Sequence, residues 1–87
     1  MDIEKLNIDA ELRRVLDSAL NLQGRAEAFH DKSSMLGGVP ELDSVGVVAV
    51  LTALEEWFGI AIKDEEIDGQ IFTTFGHLKA FVESKLG

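Results

Sequence analysis

The most restrictive feature of this sequence is a largely apolar run at 45–58, preceded by Asp43-Ser44 and closed by Gly59. Val45, Val47, Val48 and Val50 are β-branched, and by propensity alone they suit a strand. Length and flanks favour a helix instead. Strands usually stop after about five or six residues, whereas a hydroxyl before the run and a glycine after it are helix start and stop signals. Ser44 is the expected N-cap, accepting from a backbone N–H one turn in. Val47, Val48, Leu51, Leu54 and Phe58 then share the face turned toward the rest of the chain. The Ser44 oxygen stays near solvent at the positive end of the helix dipole, a place where a phosphate ester would be held by unspent N–H groups.

The flanking sequence is helical too. Residues 1–6 read as a frayed lead-in. Asn7 or Asp9 suits the cap of a first helix reaching Leu20 or Leu22, with Leu12, Val15, Leu16, Ala19 and Leu20 in one stripe. Gly24, Ser33, Ser34, Gly37, Gly38 and Pro40 interrupt the pattern over 23–42. That is long for a loop in a compact domain, so Phe29, Met35 and Leu36 are expected to pin it down, with a helical turn near 25–29. Ile60-Ala61-Ile62 reads as extended, and Asp64 caps a short turn through Ile67 that ends at Gly69. Thr74 caps a last helix to Leu86, with Phe75, Leu78, Phe81 and Val82 inward. The expected fold is all-α, a single domain over 1–87: three main helices and one short one in an irregular four-helix bundle. Trp57 either closes the core or borders an internal cavity, and the core is the favoured place.

Composition narrows the partners. Sixteen acidic against eight basic residues give a net charge of −8, which disfavours nucleic acid and anionic membrane surfaces and favours a partner protein with a basic patch. The longest apolar run, 45–51, is far short of the roughly 20 residues of a membrane span. Met1-Asp2-Ile3-Glu4 lacks the basic region and apolar core of a signal peptide, so a cytoplasmic protein is expected. With no cysteine there is no disulfide, no thiolate nucleophile and no zinc-thiolate site. His30 and His77 are the only histidines, and no Gly-x-Ser-x-Gly elbow surrounds Ser44, so no catalytic residue is assigned. Asp64, Glu66, Asp68 and Gly69 mimic the opening of a calcium loop, but Phe75 stands where its bidentate glutamate is needed; no metal site is expected.

Asp43-Ser44-Val45 resembles the Asp-Ser-Leu attachment motif of the acyl carrier proteins. Ala53-Leu54-Glu55-Glu56-Trp57-Phe58-Gly59-Ile60 resembles the end of their second helix, at the matching spacing. The resemblance runs from about residue 8 to 86. It implies that a phosphopantetheinyl transferase esterifies Ser44, beside Asp43, with phosphopantetheine from coenzyme A. The arm's thiol then carries acyl groups as thioesters to acyl-transferring or acyl-condensing enzymes, and the carrier, expected to be a monomer, catalyses nothing. The apolar interior between its helices is a candidate shelter for the cargo.

The docking face implied by the resemblance comprises Val45, Gly46, Ala49, Thr52, Glu55 and Glu56. Glu55 and Glu56 are either a solvated pair or contacts to a basic partner. Carriers of bacterial fatty-acid synthesis commonly have acids where Gly46 and Ala49 stand, and a larger apolar residue in place of Thr52. With 46 and 49 taken as exposed, these differences suggest a specialised pathway, and acids placed there are expected to improve service to fatty-acid enzymes. Gly38-Val39-Pro40-Glu41-Leu42-Asp43-Ser44 resembles the carriers encoded with exopolysaccharide and exosortase systems. The alternative is an interaction module that keeps the carrier fold and is never modified.

Overall fold

A computed structural model describes residues 8–87. The expected lead-in at 1–6 and the Asn7 cap lie outside the described residues. Three α-helices follow in order: α1 (Ile8–Leu20), α2 (Ser44–Phe58) and α3 (Phe75–Leu86). Single 3-10 turns form at Arg25–Ala28, Asp64–Glu66 and Gly69–Phe72. Among the described residues no strand forms; Ser34 and Thr74 make one isolated antiparallel bridge.

Helix α1 lies against both α2 and α3. Its apolar stripe supplies Leu12, Val15, Leu16 and Leu20 to a buried cluster with Val50 and Leu54 of α2 and Phe75, Leu78 and Val82 of α3. Burying each such large side chain stabilises the fold by about 1.5–3 kcal/mol. Arg13, off the stripe, still packs: its Nε donates to the Phe29 carbonyl at 2.9 Å, and its guanidinium lies 5.4 Å from the centre of the Phe75 ring. Asp9 is inside the first turn of α1 and pairs with Lys79 at 3.2 Å, so it is not the cap.

The long connection from α1 to α2 is ordered by its own side chains and backbone. Leu22, Ala26, Met35, Val39 and Leu42 are buried. Met35 and Leu36 N–H groups donate to the Thr73 and Phe72 carbonyls at 3.1 and 2.8 Å. Phe75 and Gly76 N–H groups return bonds to Ser33 and Asp31, each at 2.9 Å. Leu36 is held by this backbone clasp alone, because its side chain is 47% exposed.

Two caps fall as expected. The Thr74 hydroxyl accepts from His77 N at 3.1 Å, and Gly59 closes α2 in the left-handed conformation, φ 67°, that favours glycine. The cap of α2 does not. Asp43 is the N-cap, its Oδ1 accepting from Gly46 N at 2.8 Å, and Ser44 is the first helical residue. Asp43 and Ser44 are both good caps, and the shorter reach of the hydroxyl gives way to the carboxylate. Asp64 likewise begins its turn rather than capping it, and Asp68 caps a further turn by accepting from Gln70 N at 2.7 Å. The short fourth helix is therefore a pair of 3-10 turns.

Helix α2 is rotated from the expected orientation. Gly46, Val50 and Leu54 face inward, with Val47, Leu51, Ala53 and Phe58 at the margins, while Val48 is 62% exposed. Trp57, assigned to the core, is 47% exposed and its Nε1 donates to Glu11 at 2.8 Å.

Candidate functional site

Leu42 is buried, Asp43, Ser44 and Val45 are exposed, and Gly46 is buried again. The serine thus sits on a short outward arch between two anchors. Leu42 N donates to the Val39 carbonyl at 2.9 Å, fixing one side. On the other, Asp43 engages α2 twice: its side chain takes Gly46 N, and its carbonyl takes Val47 N at 2.8 Å. The N–H groups of Ser44 and Val45 have no acceptor inside the helix, as at any helix start. No acidic residue stands in the first turn of α2 itself, so the 15-residue helix presents its positive end to the serine unopposed except by Asp43.

The Ser44 side chain makes no hydrogen bond among the described residues. Neither histidine serves it as a base. His30 Nδ1 accepts from Lys32 N at 3.3 Å, and His77 Nδ1 lies 2.6 Å from the Thr74 hydroxyl. Both are engaged with the clasp between the loop and α3. The hydroxyl is therefore suited to being modified by another protein and has no partner here that would make it a nucleophile.

The other expected site residues divide. Val45 (76% exposed), Thr52 and Glu56 are on the open side of α2, joined by Val48, which sequence reasoning had turned inward. Ala49 is half-buried. Gly46 is not on the exposed side at all. A Cβ there would meet the Glu41 carbonyl oxygen well inside contact distance and would lie 3.1 Å from Leu20 Cδ2. Glu55 is half-buried, and its Oε2 accepts from Ile62 N at 2.8 Å, tying the segment after α2 back to the helix. Through that oxygen it braces the fold.

An ion pair behind the arch carried no sequence signal. Glu41, just before Leu42, is paired with Arg25 from the 3-10 turn after α1. That partner lowers the Glu41 carboxyl below the usual carboxylate range. The interior between the helices is filled by the buried cluster. A surface cavity of about 400 Å³ lies elsewhere, lined by Asp31, Lys32, Thr74, Gly76, His77 and Ala80. No group of His, Cys, Asp and Glu side chains able to hold a metal ion occurs among the described residues, and no described helix is long and apolar enough to cross a membrane.

A small all-helical fold that lifts one serine out at a helix start is the form of a carrier domain. The chain is similar to a holo acyl carrier protein from Nitrosomonas europaea, whose structure was determined in solution by NMR. The match has a TM-score of 0.83 and 46% identity, over 93% of this chain and 96% of that one. The chain belongs to the acyl carrier proteins, which are carriers and not enzymes. No protein-family model and no curated protein matches it.

Proposed function

We propose that the chain is a single carrier domain that bears a phosphopantetheine arm on Ser44 and carries acyl groups on it. The observation that carries this reading is the exposed, unengaged Ser44 hydroxyl at the head of α2, in a chain similar to a carrier in its holo form. The residues present fit the group. Ser44 offers the ester oxygen, the unspent N–H groups at the start of α2 favour the phosphate, and the two carboxylates beside the arch are already engaged, Asp43 with Gly46 N and Glu41 with Arg25. When attached, the arm supplies the thiol that a cysteine-free chain lacks.

The partners proposed are a phosphopantetheinyl transferase and acyl-handling enzymes of a specialised pathway, such as that of the exopolysaccharide- and exosortase-associated carriers, in the cytoplasm. What supports the specialised setting is the open face of α2. Val45, Val48, Thr52 and Glu56 follow one another along it, so the stretch nearest the serine is apolar and acid appears only at its far end. At about 1.5 Å of rise per residue, roughly 16 Å separates Glu56 from Val45. Partners would therefore meet an apolar surface beside the arm and use charge at a distance.

Intact-mass measurement after incubation with coenzyme A and a phosphopantetheinyl transferase tests the reading. One phosphopantetheinyl group should be added, and Ser44→Ala should abolish the gain while keeping the fold, since Asp43 remains as the cap. A wild-type chain left unmodified by several transferases would leave only the unmodified interaction module.

A further inference from the structure

Gly46 is where three parts of the chain converge. The end of α1 approaches it through Leu20 Cδ2, and the loop approaches through the Glu41 carbonyl, while its own N–H is held by Asp43. No side chain fits between α2 and that carbonyl. The Glu41 side chain is tied down independently. Arg25 reaches it with one guanidinium nitrogen, while its Nε donates to the Leu22 carbonyl at 3.1 Å, so one arginine joins the segment just after α1 to the residue before Leu42. Glu41 Oε1 is buried with no hydrogen-bond partner.

We infer that Arg25, Glu41 and Gly46 are positioning residues for Ser44. The ion pair holds the Glu41 carbonyl against the bare Cα of Gly46, and that contact sets how far the Asp43-Ser44 arch stands out from α2. None of the three touches the serine, so their effect passes through the backbone. This rests on the reading of Ser44 as the modified residue. It also gives the glycine a reason of its own: side-chain-free backbone is needed at 46, whatever charge a partner would prefer there.

Two measurements test the inference. The first needs no transferase. In Arg25→Gln, Glu41→Gln and Gly46→Ala, hydrogen exchange at the Gly46 and Val47 amides, the two donors to Asp43, should quicken about two- to fivefold, while Leu78 in α3 keeps its rate. Arg25→Lys should restore most of the protection, and the Arg25→Gln/Glu41→Gln double variant should be no worse than either single one, because both remove one interaction. The second is the rate of arm transfer from coenzyme A. The same variants should lower kcat several-fold with KM for coenzyme A unchanged, whereas Gly69→Ala, whose Cβ would enter open space, should match the wild type. If Gly46→Ala does not fold, the pair variants decide. Unchanged exchange at 46 and 47 would overturn the inference even if arm transfer proceeds normally. Quickened exchange in a chain that never accepts an arm would leave the positioning intact and remove the Ser44 reading instead.

Discussion

The two ends of α2 handle their polar groups in opposite ways. At the entry, Asp43 caps the helix while the Ser44 hydroxyl and two N–H groups are left without partners. At the exit, almost every polar group is used by the protein itself. Glu55 takes Ile62 N, Trp57 reaches Glu11, and Gly59 and Ile60 N–H groups both return to the Glu55 carbonyl. An unspent hydroxyl at one end and self-satisfied groups at the other distinguish a surface kept for other proteins from one kept for stability. Charge alone would have suggested the reverse, since the acids are at the exit.

The strongest way to break this comparison is to load the entry. Gly46→Asp should not supply a docking charge, contrary to what the sequence suggests. It should drive the Glu41 carbonyl away and destabilise the fold by about 1–3 kcal/mol, the usual range for forcing atoms into packed space. A chemical-denaturation midpoint unchanged from wild type would show that the loop yields freely. Next in size is the exit. Glu55→Ala should cost about 1 kcal/mol by removing a charged acceptor from Ile62 N, less than a fully buried case because the group is half-exposed. Glu56→Ala, one residue on and exposed, should leave the same midpoint unchanged.

Titration sharpens the contrast further. Arg25 lowers the Glu41 carboxyl, Lys79 lowers Asp31, and the Lys63 N–H with Lys85 lowers Glu66. Groups lowered in the folded state stabilise it above their unfolded pKa and lose that contribution as pH falls through the folded value. The melting temperature should thus drop below about pH 4. Lys79, raised by Asp31 and Asp9, works in the other direction, and its contribution is lost only above the usual lysine range. In Arg25→Gln the acid-side drop should be shallower. A small effect is expected from Trp57→Phe, about 0.5 kcal/mol for an exposed hydrogen bond, and the wild-type tryptophan emission should redden when Glu11→Ala frees the ring.

How much of this was legible in the sequence depends on whether a residue acts through its neighbours in the chain or in space. The ends of α3 and the stop of α2 were readable because Thr74 and Gly59 act on adjacent backbone. The start of α2 was readable to within one residue, and the exchange of capping roles between Asp43 and Ser44 turns on a choice between two competent caps. The rotation of α2 was not readable. Val45-Gly46-Val47-Val48-Ala49-Val50-Leu51 is apolar on every side, so it offers no polar face against which to set a period, and Val48 was drawn inward. The burial of Gly46 depends on a loop folding back from Glu41, and nothing local announces that.

The clasp between residues 31–36 and the start of α3 has a kinetic consequence. Lys79 and Asp31, 48 residues apart in sequence, meet at 2.9 Å across it, and the whole of α2 lies within the span of chain so closed. Closing so large a ring is entropically unfavourable until α2 has compacted the intervening chain. Contacts of this range slow folding relative to a bundle built only from neighbouring helices. The clasp is therefore expected to close late in folding, with α2 formed, its serine outward, before the ring shuts behind it.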